Sequence, residues 1–141
     1  MKKIYIASDH AGFNLKSEII KKYSKKYKIE DLGTKTNFVS VNYPDYAHKL
    51  CKKVIKNKKN IGILVCGSGT GMSMTANKHK KIRAAQCYSV KSAKLSRLHN
   101  DANVITLGER LINKSLAFKC INAFLNTKFE GGRHLKRVKI I

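Results

Sequence analysis

The stretch LVCGSGTGMS, residues 64–73, ends an apolar run on a thiol, Cys66, and follows it with glycines at 67, 69 and 71. Residues of these types in this order can do one kind of chemistry together. A thiol at a helix N-terminus can be made easier to ionise, which supplies thiolate near neutrality. Glycine amides that converge on a point can hold an oxyanion. A base beside such a hole can remove a carbon-bound proton and stabilise the enediolate left behind. Ser68 adds a hydroxyl able to orient a substrate or relay a proton, and Thr70 a second one. The same residues allow a plainer reading, a tight strand-to-helix turn closed by a buried cysteine acting as a small hydrophobe. The loop lacks the GK[ST] of a P-loop and does not match GxGxxG, which argues against a nucleotide.

Other candidates lie far away in sequence. Asp9-His10 directly follows a short β-favouring run, and His99-Asn100-Asp101 ends a helix-like segment. His48 and His79 have no such setting and read as surface residues. Arginine occurs only at positions 83, 97, 110, 133 and 137 in a chain that carries 30 Lys and Arg together. Arg133 and Arg137 are four apart, so a helical tail puts them on one face. A guanidinium grips phosphate with a planar fork that lysine cannot copy. A basic surface tail is the competing reading.

The net charge of +22 invites nucleic acid as a partner. Its lysines are scattered in pieces such as Lys21-Lys22 and Lys58-Lys59, without the interleaved aromatics of a single-strand binder. They read as solvated helix faces, and no specific nucleic acid is expected. No apolar run approaches the roughly 20 residues of a membrane span, so no membrane partner is expected and the location reads as cytoplasmic. Cys51, Cys66, Cys87 and Cys120 form no CxxC pair, which leaves a disulfide framework and a structural zinc site unsupported. Cys51, Cys87 and Cys120 read as buried hydrophobes.

These residues need a scaffold, and the hydrophobic pattern supplies one. Strands are expected at 3–8, 28–32, 61–65, 82–87 and 103–107, and helices over 11–27, from Pro44, over 67–80, 92–99 and 114–125. The continuous apolar run at 61–65 fits a strand covered on both faces. Alternation of this kind builds a parallel sheet with right-handed crossovers. The expectation is an α/β chain folded as a single Rossmann-like (flavodoxin-like) domain over 1–141. It has a parallel five-stranded sheet with helices on both faces, and a C-terminal arm from about 129 to 141. In such sheets ligands bind beyond the carboxyl ends of the strands.

SDHAGF (8–13), DLGT (31–34), YPDYA (43–47), CGSGTGMS (66–73), ANK (76–78), IRAA (82–85), LSRLHNDANV (95–104), LGER (107–110) and EGGRHLKRV (130–138) run through the chain in order. Together they resemble the ribose-5-phosphate isomerase B family, which includes galactose- and allose-6-phosphate isomerases. The resemblance implies aldose–ketose isomerisation through a cis-enediolate, with no metal and no cofactor. It implies that Cys66 moves the proton between C1 and C2 and that the amides of Gly67, Ser68, Gly69, Thr70 and Gly71 hold the enediolate. Asp9 would bind sugar hydroxyls, with Ser68 assisting, and His99 would open the furanose ring. His10, Arg110, Arg133 and Arg137 would bind the phosphate, and Asn100 the sugar. A homodimer, or a dimer of dimers, would share its sites, with the region from His99 to Arg110 supplied by the neighbouring subunit.

The chain departs from the family pattern at Ser68, where threonine is common, at Lys81, where glycine is frequent, and at Asn42, where aspartate often stands. Met72 and its neighbours offer no carboxylate, which matches the branch that uses a cysteine base and not a glutamate. A ribose 5-phosphate substrate is expected, with a hexose 6-phosphate on the same scaffold as the alternative. A basic nucleic-acid-binding protein is the distant one.

Overall fold

The computed structural model describes residues 2–141. Five strands alternate with helices: β1 (Lys3–Ser8), α1 (Phe13–Tyr23), β2 (Lys28–Asp31), α2 (Tyr43–Val54), β3 (Ile61–Cys66), α3 (Thr70–Ala76), β4 (Ala84–Gln86), α4 (Val90–Asn100), β5 (Val104–Gly108) and α5 (Lys114–Asn126), before a last short helix, α6 (Arg133–Val138). All strand pairs are parallel, in the order β2-β1-β3-β5-β4. The sheet is Rossmann-like and flavodoxin-like, with β5 rather than β4 beside β3.

Two apolar layers cover the sheet. Leu15, Ile19 and Tyr23 of α1 pack with Ala93 of α4 and Ala117, Ile121 and Phe124 of α5 on one face. Ala47, Leu50, Cys51 and Val54 of α2 pack with Met72 and Ala76 of α3 on the other. Every residue of β3 is buried, as the unbroken apolar run requires. The chain leaves β1 through α1 on one face and leaves β3 through α3 on the opposite face. The topological switch point therefore lies between β1 and β3, where Ser8 pairs with Val65. Asp9 and Cys66 emerge there side by side.

Several boundaries differ from the sequence expectation, each for a local reason. Helix α3 ends at Ala76 because Asn77 turns its amide onto the edge strand. Its Nδ2 donates to Ala84 O at 3.0 Å, and its Oδ1 accepts from Ala84 N at 2.8 Å. Strand β4 has three residues and begins at Ala84. Helix α4 starts at Val90 because Ser89 and Ser92 cap it reciprocally, with the Ser92 N–H donating to Ser89 Oγ at 3.0 Å. Lys16, read as part of a solvated lysine face, is only 1% exposed. Its ammonium donates to Asp31 Oδ1 at 2.7 Å and to Thr34 O at 2.8 Å, so the charge is paired as burial demands.

Candidate active site

At the carboxyl end of β3, Cys66 is buried, and the Gly69 N–H donates to its sulfur at 3.2 Å. Gly69 has φ +80°, a conformation that turns its amide back onto the thiol and opens α3. The Thr70 N–H donates to Ser68 Oγ at 3.3 Å. A cavity of about 350 Å³ lies at this mouth, lined by Asp9, Tyr43, Cys66, Gly67, Ser68, Gly71, Arg110 and Leu111. Asp9 is buried and oriented by the Gly12 N–H, which donates to its Oδ1 at 3.0 Å. His10 is half-buried and accepts the Val41 N–H on Nδ1 at 3.1 Å. That bond leaves Nε2 as the nitrogen able to donate outward.

The glycine loop is held from the β5 side. The Glu109 N–H donates to Cys66 O at 2.9 Å and the Arg110 N–H to Gly67 O at 3.0 Å. A Cβ on Gly108 would meet the Ser68 backbone at 2.4 Å, so only glycine lets the two segments touch. The Arg110 guanidinium lies over Gly67, 3.0 Å from where a Cβ would be. Arg110 thus lines the cavity of its own chain. This corrects the expectation that the neighbouring subunit supplies it: the tie to Gly67 O brings residue 110 back over the loop.

His99, Asn100, Arg133 and Arg137 lie elsewhere. Helix α4 runs antiparallel to the strands, so its last turn returns to the amino end of the sheet. There Arg83 Nε, just before β4, donates to Asn100 O at 3.0 Å. The Glu130 N–H donates to Leu98 O at 3.1 Å and docks the tail on that turn. His99 stacks on His134 with ring centroids 4.3 Å apart, and the Nε2 atoms of both rings stand 3.9 Å from Glu130 Oε2. Arg133 and Arg137 are exposed on α6, one helical turn apart. The predicted residues therefore form two groups at opposite ends of the sheet: Asp9, His10, residues 66–71 and Arg110 at one, and His99, Asn100, Arg133 and Arg137 at the other.

The family model for Ribose/Galactose Isomerase matches residues 4–141. The chain belongs to the ribose/galactose isomerase family. It is 42% identical over 142 residues to ribose-5-phosphate isomerase B of Escherichia coli, covering 100% of this chain and 95% of that protein. The crystal structure of a ribose 5-phosphate isomerase from Thermotoga maritima is 46% identical with a TM-score of 0.94, covering 98% of this chain and 95% of that one. The ribose-5-phosphate isomerase B of Mycoplasma genitalium, whose crystal structure holds bound ribulose-5-phosphate, is 42% identical with a TM-score of 0.94, covering 99% of this chain and 93% of that one.

Within this isomerase-family fold, the structure adds residues that the sequence reading left without a role. Gln86 Nε2 donates to Ser68 O at 3.0 Å and to Thr70 Oγ1 at 2.9 Å, and the Tyr88 hydroxyl also donates to Ser68 O. These two clamp the glycine loop from β4, and no local signal marks them. Tyr43, the first residue of α2, lays its ring against Gly71 so closely that a Cβ there would meet it at 2.4 Å. Pro44 beside it gives the helix start, but not the contact. His48 and His79, read as unconnected surface residues, are joined by a 2.6 Å hydrogen bond between Nδ1 and Nε2.

The four cysteines are all free and buried. Burial pushes the Cys51 thiol up to about 12 and the Cys87 thiol up to about 11, and raises Cys120 as well. Among the described residues, only Cys66 combines a cavity with an amide donor on its sulfur.

Proposed function

We propose that this chain interconverts ribose 5-phosphate and ribulose 5-phosphate through a cis-enediolate, in a site shared by two copies. The observation that carries the reading is the Cys66 thiol with the Gly69 amide on its sulfur, at the switch point beside Asp9. As thiolate, Cys66 removes the proton from C2 of the open-chain aldose and returns it to C1. The negative charge that passes to oxygen is held by the loop N–H groups not engaged by Cys66 and Ser68, those of Gly67, Ser68 and Gly71, in a loop fixed before substrate arrives by Gln86, Tyr88 and the β5 ties. Asp9, oriented by Gly12, accepts hydrogen bonds from the sugar hydroxyls and passes their protons. Ser68 orients the same hydroxyls.

His10, with Nε2 free to donate, and Arg110 take the phosphate from the Cys66 side. His99 opens the furanose by giving a proton to the ring oxygen, Asn100 binds the sugar, and Arg133 and Arg137 complete the phosphate cradle. This second group reaches Cys66 only from another copy, because the length of the sheet separates them within one chain. Leu111, 62% exposed, offers that copy an apolar side chain at the mouth. The chemistry needs neither metal nor cofactor, since proton transfer and charge stabilisation are supplied by side chains and amides. Four free thiols suit the reducing cytoplasm, and among the described residues no helix is long and apolar enough to cross a membrane.

The test is ketopentose formation from ribose 5-phosphate with EDTA present, for wild type and Cys66→Ala. Allose 6-phosphate and galactose 6-phosphate are run in parallel. Pentose turnover that disappears in the variant supports the proposal. Turnover of a hexose phosphate alone refutes the substrate, and full activity of Cys66→Ala refutes the base.

A further inference from the structure

We propose that His99, Glu130 and His134 form a binding site for a divalent transition-metal ion of the zinc class, where the ion withholds His99 from catalysis. One ligand atom from each residue lies within 4.8 Å of the other two. Both imidazoles bring Nε2 to 3.9 Å from the same carboxylate oxygen, and the exposed His99 ring must turn out of its stack on His134 for both lone pairs to meet one ion. A second observation points to a ligand independently. His134 is 6% exposed, and its Nε2 is buried without a hydrogen-bond partner. That unsatisfied nitrogen is aimed into the cluster.

Two imidazole nitrogens and one carboxylate are a donor set that zinc uses with a fourth position left open. Bonds of about 2.0–2.1 Å in a tetrahedron put ligand atoms roughly 3.3 Å apart, so the cluster must close by less than about 1.5 Å. Only His134 is held by packing. His99 and Glu130 are 37% and 46% exposed at their side chains and can swing to meet the ion. Electrostatics narrows the ion further. Arg133 and Arg137 stand nearby and raise the cost of any cation, which disfavours magnesium or calcium held mainly by charge on oxygen. Zinc, cobalt or nickel gains instead from bonds to imidazole nitrogen.

Binding stands on this geometry alone. The inhibitory consequence rests on the ring-opening role proposed for His99, because a metal on Nε2 occupies the nitrogen that would carry the proton. Cobalt(II) titrated into the full chain reads the site directly. The expected result is the visible d–d absorption of a tetrahedral ion, without a thiolate charge-transfer band, and displaced by zinc. Glu130→Gln and His134→Gln should each weaken the metal at least about 100-fold, beyond what loss of an outer-shell partner costs. His48→Ala, which breaks the other histidine pair, should leave it unchanged. Glu130 is exposed, so its variant folds even if His134→Gln does not. Unchanged affinity in Glu130→Gln, a thiolate band lost in Cys66→Ala, or no binding at millimolar metal overturns the site. Isomerase assays with zinc, reversed by EDTA, read the consequence. Cobalt bound at the site with isomerase activity undiminished overturns the inhibition and the ring-opening role together, and leaves the site standing.

Discussion

Two variants that are each inactive should restore one another when they share a dimer. Cys66→Ala damages the carboxyl end of the sheet and His99→Asn the amino end. Cys66 pairs in register with Gly108, the last residue of β5, whereas Asn100 is tied to Arg83 just before β4 and level with the start of β5. Four steps of about 3.3 Å separate those levels, roughly 13 Å before loops are counted, which is too far for proton transfer within one chain. Each homodimer should therefore lose about 100–10,000-fold in kcat. Unfolding the two variants together in equal amounts and refolding them places half of the dimers in mixed form. Each mixed dimer has one site with both groups intact and one with neither, so activity should return to about 25% of wild type per chain. The assay is ketopentose formation, with the mixed dimers confirmed by native mass spectrometry. Mixed dimers without recovered activity would refute the shared site, as would a His99→Asn protein with the wild-type rate.

Gly108→Ala pushes a Cβ into the Ser68 backbone at 2.4 Å, and should cost about 1–3 kcal/mol in urea unfolding while lowering kcat by displacing the glycine loop. Lys81 sits at φ +72°, so Lys81→Gly removes about 1 kcal/mol of backbone strain. Part of this is returned as unfolded-chain entropy, and a small rise in Tm is expected; a fall would refute the strain. In the folded protein, iodoacetamide at mildly alkaline pH should label Cys66 alone, because burial holds Cys51, Cys87 and Cys120 protonated, and peptide mass spectrometry identifies the site. His134 is held below its ordinary value, chiefly by burial, so the folded state takes up this proton less readily than the unfolded chain. The stability it confers is complete above about pH 6.5 and lost as pH falls through the folded value. Denaturation from pH 7.5 to 5 should show that loss in wild type and a flatter profile in His134→Gln.

The order of strands and helices was legible in the sequence because each element writes its own period. The apolar run of β3 declared burial on both faces, and lysine-flanked apolar positions declared α1 and α2. The thiol and glycine loop were legible too, since Cys66 to Gly71 are neighbours in the chain. Lys16 was not, because its burial depends on Asp31 and the Thr34 carbonyl, which belong to other segments. Gln86 and Tyr88 escaped for the same reason: their value lies in reaching Ser68, a contact made only when β4 and β3 share a sheet.

The motifs named Asp9, Cys66, His99 and the arginines as one set, but sequence carries no distances. Tertiary structure divided the set, bringing Asp9 to Cys66 through parallel pairing of β1 with β3 and carrying His99 to the other end on an antiparallel crossover helix. It also moved Arg110 to the Cys66 side of its own chain and stacked His99 on His134. Local pattern determines elements because it acts over a few residues. Which elements meet is decided by how the sheet is wound, and that follows only when the whole chain buries its two apolar layers at once.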